Sequence, residues 1–358
     1  MSNLSVSQVG ERAVKQRILE QVSSHREAIS LLDGGLGHDS GVLINPLEVS
    51  ERLLVNTDKS GVSKAFKLGL ADGECIGDFA VSHAVSDILA SGGRPFAISV
   101  AMLIPGDTSI ETVDQIMLGI LKACHFYDVT LAGGDTKKSD QLALVVTAIG
   151  KAPPEDVLFR DTPSPGDLLV VSGELGSMLM GSVVYERNIP VPAETRKILD
   201  DALIYQRPPF KLAVEINTAR IARACTDISD GLQGACRNML SSSALGANLK
   251  EECLPINPGV KALALGIGLS PVQLSLAGGD WRFLYSVPEE NYPALLDIAD
   301  RIKHKVHCIG KVTQNSGIWV ERLDGTRSEL SDIENDSFRT GGYFDMLSHP
   351  LDPYKQQQ

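Results

Sequence analysis

Seven aspartates stand beside glycine, serine or threonine where the chain is expected to turn. They are Asp39, Asp58, Asp87, Asp135, Asp227, Asp230 and Asp280. Mg²⁺ prefers oxygen ligands and commonly joins one or two protein carboxylates to the phosphates of a nucleotide. Any single one of these aspartates is explained equally well by an ordinary turn or helix N-cap, where Asp is common. The whole set, drawn from both halves of the chain, indicates a site for magnesium and phosphate.

Other familiar catalytic motifs are missing from the sequence. It contains no Walker-type loop, no dinucleotide-binding glycine pattern, no Gly-x-Ser-x-Gly elbow and no His-Glu-x-x-His pair. The six cysteines lack metal-ligand spacing, so we expect reduced and mostly buried thiols. His83 lies one helical turn before Asp87 and has the position of a general base, although such a histidine is more often simply hydrogen-bonded. The carboxylates remain the main candidates for chemistry.

Charge and hydropathy exclude several classes of protein. The chain of 358 residues has 45 acidic and 33 Lys or Arg side chains, and its net charge of −12 disfavours nucleic acid and anionic membranes as partners. The N-terminus lacks the apolar core of a signal peptide, and no apolar run reaches the roughly 20 residues that span a bilayer. We therefore expect a cytoplasmic protein with two domains and with no nucleic-acid or membrane partner.

Short strands and a glycine-rich turn are expected to position the first carboxylates. A helical leader over 9–32 runs into a glycine-rich turn at 33–41, and Asp39 lies in that turn just before a strand at 42–44. A second strand, at 53–57, is expected to present Asp58 at its end.

A helix predicted over 78–91 carries two more carboxylates. Asp78 and Asp87 are nine residues apart, about two and a half turns, so they cannot share one face of the helix. His83 and Asp87, four residues apart, can share one.

The rest of the first half reads as alternating strands and one long helix. A buried strand is predicted at 97–104, and Thr108 to Glu111 fit a capping box that starts a helix ending near Tyr127. We assign one apolar stripe of that helix to the core: Ile110, Val113, Met117, Ile120, Leu121 and Cys124. A short strand at 129–131 then opens into Gly-Gly-Asp-Thr at 133–136.

Proline content and a new alternation of patterns divide the chain into parts. The predicted parts are a first domain at 1–150 that ends with a strand at 142–149, a linker with four prolines at 151–166, a second α/β or α+β domain at 167–345, and a tail at 346–358. In the second domain we expect strands at 167–172 and 306–312 and helices near 177–187, 193–204, 208–224, 232–244 and 289–304. Asp227 and Asp230 precede the fourth of these helices.

Several short motifs follow one another in a characteristic order. They are Gly-His-Asp-Ser-Gly at 37–41, Asn-Thr-Asp at 56–58, Val-Ser-Asp-Ile-Leu-Ala-Ser-Gly-Gly-Arg-Pro at 85–95, Ala-Gly-Gly-Asp-Thr at 132–136, Arg160, Pro-Gly-Asp-Leu-Leu-Val-Val-Ser-Gly-Glu-Leu-Gly at 165–176 and Asp-Ile-Ser-Asp-Gly-Leu at 227–232. This order resembles the aminoimidazole ribonucleotide synthetase (PurM-like) superfamily over most of the chain. Within the superfamily it is most similar to thiamine-monophosphate kinase. Two later motifs, Ile-Gly-Lys-Val at 309–312 and Gly-Tyr-Phe at 342–344, also resemble the pattern of that kinase.

The resemblance implies a fold, a dimer and a set of roles. The fold would have two α/β (α+β) domains, with the N-terminal sheets of a homodimer forming a barrel, and it would bind ATP with Mg²⁺. The implied metal ligands are Asp39, Asp58, Asp87, Asp135 and Asp230. The implied catalytic residues near the transferred phosphate are Asp227, Ser229 and Asp230. The implied nucleotide-binding residues are Gly37, Asp39, Thr57, Gly134, Asp135, Thr136 and Arg160, with Thr57 also supporting the metal cluster.

The chain departs from the kinase pattern at three places. His38 replaces the first of two aspartates in the glycine-rich loop, the segment from Lys59 to Lys64 replaces an acidic, histidine-bearing one, and Asp280-Trp281-Arg282 replaces an acidic and aromatic run. The last two changes fall on the substrate side and predict an altered substrate specificity. The residues expected to contact the substrate are Lys59, Lys64, Asp280, Trp281 and Tyr343.

The sequence therefore predicts an enzyme, an ATP- and Mg²⁺-dependent kinase of a small metabolite. Catalysis of this kind consists mainly of positioning and neutralising phosphate charge. Two alternatives stay open at this stage. One is the ATP-dependent activation of an amide or carbonyl oxygen, as in cyclo-ligases and dehydratases, and the other is a nucleotide-binding protein without turnover.

Overall fold

Two β-sheets form the framework of the chain in the computed structural model, which describes residues 6–24, 30–33, 38–45, 48, 50–241, 243–331 and Tyr354. The strands are β1 (Leu32–Asp33), β2 (Gly41–Ile44), β3 (Arg52–Ser60), β4 (Arg94–Ile104), β5 (Thr130–Lys138), β6 (Ala143–Ala152), β7 (Leu168–Val171), β8 (Ala224–Asp227), β9 (Gly246–Lys250), β10 (Phe283–Val287), β11 (His307–Thr313), β12 (Gly317–Glu321) and β13 (Arg327–Glu329). The first sheet has the order β1-β2-β3-β6-β4-β5, and the second has the order β13-β12-β9-β11-β7-β10-β8.

Most neighbouring strands are antiparallel, and each sheet contains one parallel pair. These pairs are β4 with β5 and β9 with β12. The helices are α1 (Val6–Val9), α2 (Glu11–Ser23), α3 (Lys64–Lys67), α4 (Glu74–Ala90), α5 (Ile110–Tyr127), α6 (Ser177–Glu186), α7 (Ala193–Ile204), α8 (Phe210–Thr218), α9 (Gly231–Leu240), α10 (Pro258–Gly266), α11 (Pro271–Leu276) and α12 (Tyr292–Arg301). The predicted mixed α/β class with two separate sheets is confirmed.

Helix α4 lies at the centre of the molecule. Thirteen of its 17 residues are buried, and it contacts β3 and β6 of the first sheet as well as β8 of the second. Small residues allow a close crossing with α5, because a Cβ atom at Gly77 would lie 2.1 Å from the Ile116 carbonyl oxygen. A polar side chain on so buried a helix is costly unless it has a partner. Each carboxylate of α4 therefore needs a counter-charge or hydrogen-bond donor.

Most of the predicted elements are confirmed within a few residues. In the first domain these include the strand at 42–44, the helix at 78–91 and the strands at 97–104 and 142–149. In the second domain the five predicted helices correspond to α6, α7, α8, α9 and α12. Helices α10 and α11 were not predicted. The leader helix was predicted too long, because α2 ends at Ser23 and Leu32 already belongs to a strand.

Three local predictions for the first domain are wrong. Asp58 does not end its strand, because β3 continues to Ser60. The N-cap of α5 is Ser109, whose hydroxyl accepts from the Thr112 amide, so the capping box starting at Thr108 does not form. The apolar stripe of α5 is only partly buried, since Ile110 is 75% exposed and Leu121 is 49% exposed. Periodicity indicated the helix correctly but not how far its apolar face is covered.

The first sheet of this chain is open at both edges. Among the described strands β1 and β5 are its edges, and the long edge strand β5 is exposed along most of its length. The barrel expected from two such sheets therefore stays a prediction. Within the described ranges, no helix combines the length and the apolar character required to cross a bilayer.

Candidate active site

Three carboxylates from distant parts of the chain meet where the two sheets approach each other. Asp39 precedes β2, Asp87 lies near the end of α4, and Asp227 is the last residue of β8. Each offers one carboxylate oxygen, and these oxygens lie within 4.8 Å of one another. All three residues are only partly exposed. We call Asp39, Asp87 and Asp227 the acidic triad.

Asp39 is held by a forked contact with Arg160. The Arg160 Nη2 atom lies 2.9 Å from Oδ1 of Asp39, and Nε donates to Oδ2 at 3.1 Å. The Thr226 hydroxyl donates to the same Oδ1 at 3.0 Å. Because charge-assisted bonds reach both oxygens, the Asp39 carboxylate is fixed in orientation. Arg160 follows the first domain and Thr226 belongs to the second, so this carboxylate also links the two.

Asp58 extends the triad on the side of the first sheet. It shares a face of β3 with Asn56, whose amide Nδ2 donates to Asp58 Oδ2 at 2.9 Å. The pKa of Asp87 is well above its ordinary value, first because the side chain is buried and then because Asp227, Asp58 and Asp39 repel its charge. Asp58 is therefore close enough to act on Asp87 electrostatically.

Asp227 and Asp230 extend the triad on the side of the second sheet. Burial raises the pKa of Asp227 to about 7, and the charge of Asp39 acts in the same direction. The Ser229 hydroxyl donates to Asp227 Oδ1 at 2.9 Å and opposes the shift. After Asp230 the chain turns at Gly231 with φ +75°, where a Cβ atom would lie 2.0 Å from the Leu276 carbonyl oxygen. Only glycine fits this turn, which begins α9.

The acidic triad has the chemistry of a cation site. Three carboxylates this close cannot all ionise without a compensating charge, and Arg160 supplies only one positive charge. The donor set consists of oxygen alone, which suits a hard divalent cation such as Mg²⁺. Asp58 and Asp230 lie next to the triad and offer further oxygens. The observed set thus fits a metal bound together with phosphate.

Asp135 does not join the triad of its own chain, so its expected role as a metal and nucleotide ligand is not supported there and stays a prediction. Gly134, Asp135 and Thr136 lie inside β5, where all three are exposed. Across the sheet, Asp58 of β3 pairs with Val146 of β6, Val146 pairs with Val100 of β4, and Val100 pairs with Gly134 of β5. Three steps of about 4.8 Å place β5 roughly 14 Å from β3. The Asp135 carboxylate instead caps the amide of Thr136 at 2.8 Å.

The Thr57 side chain faces away from the triad, so this arrangement does not support its expected role beside the metal cluster, which stays a prediction. Adjacent residues of a strand point to opposite faces, and Asp58 faces the triad. The Thr57 hydroxyl lies 2.9 Å from the Thr147 hydroxyl on the exposed face of the sheet. Lys59, two residues later, is exposed on that same face. A role of Lys59 toward a substrate at the triad of its own chain is therefore not supported.

The other predicted substrate residues have structural partners. Lys64 forms an ion pair with Glu186 of the second domain. Both oxygens of Asp280 accept backbone amides at the start of α6, from Gly176 at 2.6 Å and from Met178 at 3.0 Å. Asp280 therefore anchors α6, and its predicted substrate contact stays a prediction that these two bonds do not support. Gly37 and Tyr343 lie outside the described residues.

Trp281 is buried against α4, with 8% of its surface exposed. Its ring lies 3.6 Å from that of His83 and 5.3 Å from that of Phe79, centroid to centroid. His38, which replaces a family aspartate, packs its ring against Phe159 at 4.8 Å. Neither histidine belongs to the acidic triad.

The sequence did not reveal two interactions between distant segments, one at the triad and one elsewhere on α4. Thr226 was not among the predicted site residues, although it directly precedes Asp227 in the sequence. Asp78 of α4 binds Arg207, which donates from Nε at 3.0 and 3.1 Å and from Nη2 at 2.5 Å. No sequence signal connects Asp78 with Arg207, because they belong to different domains.

Comparison with known protein families divides the chain into two matching parts. Residues 37–152 match the model of the N-terminal domain of AIR synthase related proteins, and residues 164–321 match the model of the C-terminal domain. The thiamine-monophosphate kinase of Methanopyrus kandleri is 32% identical over 253 residues, which cover 70% of this chain and 75% of the relative. The thiamine-monophosphate kinase of Pyrococcus abyssi is 29% identical over 80% of this chain and 86% of its own length.

Solved structures show the same fold. The structure described as AaThiL complexed with AMPPCP and TMP has a TM-score of 0.76 at 23% identity and covers 91% of this chain and 97% of its own. Thiamine monophosphate kinase from Aquifex aeolicus has a TM-score of 0.69 at 24% identity, covering 87% of this chain and 98% of its own. HypE from E. coli has a TM-score of 0.70 at 19% identity, covering 89% of this chain and 98% of its own.

Proposed function

Because this chain belongs to the AIR synthase related family, and within it to the thiamine-monophosphate kinases, we propose that it transfers the γ-phosphoryl group of ATP to a small phosphorylated metabolite. Thiamine monophosphate is the first acceptor to test, since it is the substrate named for the relatives and is present with an ATP analogue in the structural neighbour. The single observation that carries the proposal is the acidic triad between the two sheets.

The reaction requires little covalent work from the protein. The bond from the γ-phosphorus to its bridging oxygen breaks, a new bond forms to an oxygen of the acceptor phosphate, and ADP leaves. Two anionic reactants must approach each other, so charge neutralisation and alignment are the main tasks. A bound Mg²⁺ supplies the positive charge that lets phosphate oxygens lie beside carboxylates.

The residues of the chain divide these tasks among them. Asp39, Asp87 and Asp227 would hold the metal, with Asp58 and Asp230 as the adjoining ligands. Ser229, hydrogen-bonded to Asp227, would lie beside the transferred phosphate. Arg160 fixes Asp39, and its guanidinium is a positive group beside the triad that an incoming phosphate would meet.

A homodimer with joined N-terminal sheets is part of the proposal. The exposed edge strand β5 and the open first sheet offer the surface for such a pairing. Asp135 and Thr136 are exposed on this strand. In such a dimer they would contribute their expected metal-binding and nucleotide-binding groups to the site of the partner subunit, and not to the acidic triad of their own chain.

The proposal is tested by incubating the protein with ATP, Mg²⁺ and thiamine monophosphate and measuring ADP together with product mass. We expect ADP and an acceptor heavier by one phosphoryl group. Release of inorganic phosphate with a cyclised or dehydrated product would favour the synthetase alternative, and unchanged ATP would favour the inactive one. The relatives, which are named kinases, favour neither. A panel of other monophosphates tests the predicted change of specificity.

Two variants test the ligand assignment. Asp58→Asn and Asp230→Asn remove one charge each beside the triad and should abolish Mg²⁺-dependent turnover while the fold persists. The exposed Asp107 provides a matched control, because Asp107→Asn makes the same chemical change in a surface turn after β4. Wild-type rates in both site variants would show that these carboxylates do not serve the reaction.

A further inference from the structure

Two parallel rows of side chains lead away from the acidic triad. On β3, Asp58 and Ser60 lie on one face because they are two residues apart, and on α4, Asp87 and His83 are one helical turn apart. The Ser60 hydroxyl and Nδ1 of His83 lie 3.0 Å apart and join the two rows. The next position along both rows from the triad is therefore the Ser60–His83 pair.

An aromatic stack covers this position. The His83 ring lies 4.2 Å from the ring of Phe79 and 3.6 Å from that of Trp281, with interplanar angles of 48° and 36°. Phe79 and His83 belong to α4, whereas Trp281 comes from the loop before β10 in the second domain. The stack thus closes the seam between the domains immediately beside the acidic triad.

The stack contains two energetically unfavourable features. Among the described residues, Nε2 of His83 is buried without a hydrogen-bond partner, which costs free energy because the atom has lost its water. Trp281 has φ +46°, a left-handed conformation that is rare and strained for a bulky residue. The first cost depends on the ring contact, because the Trp281 and Phe79 rings lie against the His83 ring and offer its Nε2 atom no hydrogen bond. The second belongs to the Trp281 backbone and fixes the direction from which its side chain leaves the chain.

The backbone around Trp281 is held on both sides. Asp280 is bonded to the amides of α6, and the Arg282 carbonyl accepts the amide of Ile228 at 2.7 Å. A movement of Trp281 is therefore a rotation of its side chain and not a displacement of the loop. Rotation would uncover the His83 ring and its Nε2 atom.

We infer that the Trp281 ring is a cover over the acceptor side of the site, and that an acceptor with a planar nitrogen heterocycle displaces it to stack on the aromatic wall and hydrogen-bond Nε2 of His83. The inference rests on the proposed kinase function and assigns to His83 the positioning of the acceptor. Aromatic walls favour planar rings, and a cationic ring most of all. The position beside the acidic triad leaves the acceptor's phosphate free to face the metal site.

The first experiment uses Trp281 as its own reporter. The chain has two tryptophans, Trp281 and Trp319, so Trp319→Phe leaves a single fluorophore at the stack. We expect a red shift of its emission when thiamine monophosphate is added to protein, Mg²⁺ and a non-hydrolysable ATP analogue, and no shift with the analogue alone. The same variant is assayed in parallel for ADP release with ATP.

The four outcomes separate the inference from the function on which it rests. Turnover with a red shift supports both, and turnover without a shift overturns the cover but leaves the kinase. A shift without turnover supports the cover and overturns the kinase, and the absence of both overturns both. The control variant Trp281→Phe, with Trp319 kept, should show no shift in any mixture.

The second experiment separates positioning from a purely structural role. His83→Phe keeps an aromatic ring in the stack and removes Nε2, so the KM for the acceptor should rise roughly tenfold while the KM for ATP and the kcat change little. His125→Phe, at an exposed position of α5, is the matched control and should leave every constant unchanged. An unchanged acceptor KM in a folded His83→Phe protein would overturn the role of Nε2.

Discussion

Arg160 binds both carboxylate oxygens of Asp39, with Nη2 2.9 Å from Oδ1 and Nε 3.1 Å from Oδ2. The Asp39 side chain is only 5% exposed and that of Arg160 is 19% exposed, so water screens the pair weakly. Arg160 thus contributes one positive charge, whereas the acidic triad carries up to three negative charges. The charge balance of the site therefore depends on Arg160 until a cation binds.

We predict that Arg160→Met lowers the free energy of unfolding by about 3 kcal/mol, because a buried carboxylate loses its counter-charge. Arg160→Lys should lose less, since Lys keeps the charge but not the fork. Urea unfolding measures both, and Mg²⁺ should restore part of the loss in Arg160→Met. Arg94→Met removes an exposed pair with Asp128 and should change stability by less than about 1 kcal/mol. Equal losses in the Arg160 and Arg94 variants would contradict this account.

Asp227→Asn should stabilise the metal-free protein and abolish turnover. Burial raises the folded-state pKa of Asp227 to about 7, so the native state holds a proton that the unfolded state releases near pH 4. Stability therefore falls as pH rises between these values, and neutral Asn removes that decline. We expect a gain of about 1–3 kcal/mol at pH 8. Asp107→Asn is the control for unfolding, and a destabilised Asp227→Asn protein would refute the prediction.

The Asp78–Arg207 pair should hold the two domains together. The side chains are 9% and 28% exposed, and Arg207 also stacks over Phe126 at 4.5 Å. We expect Asp78→Ala to cost about 3 kcal/mol, because it leaves a half-buried guanidinium unpaired. The double variant Asp78→Ala with Arg207→Met should recover part of this loss. A double-mutant cycle in urea measures the coupling, and strictly additive losses would mean that the pair contributes none.

Acid should weaken the fold through His83. Burial lowers its pKa to about 3, below the value near 6.5 expected when the chain is unfolded. Only the unfolded state takes up this proton between those values, so stability is lost as pH falls, by about 1.4 kcal/mol per pH unit. Between pH 7 and 5 the wild type should lose about 2 kcal/mol more than His83→Phe. His125→Phe should follow the wild type, and parallel pH profiles for wild type and His83→Phe would contradict the prediction.

Local patterns in the sequence were sufficient for several features. The spacing of Asp78 and Asp87 placed them on different faces of one helix, and they do have different partners, Arg207 and the acidic triad. Glycines close to the aspartates indicated the bend at Asp39 and the turn after Asp230. Alternating and helical periodicities located most strands and helices, because backbone conformation and burial of one face are largely local properties.

Only the tertiary structure decided which of these carboxylates meet. Thr226 and Asp39 are 187 positions apart, yet their side chains bond at 3.0 Å. Side chains alternate between the two faces of β3, so Asp58 lies at the site and Thr57 lies on the opposite face. Strand β5 lies at the edge of the sheet, so Asp135 is distant from the triad of its own chain. Strand order, register and the contact between domains set these distances. They arise from packing between distant segments, which the identity of neighbouring residues does not specify.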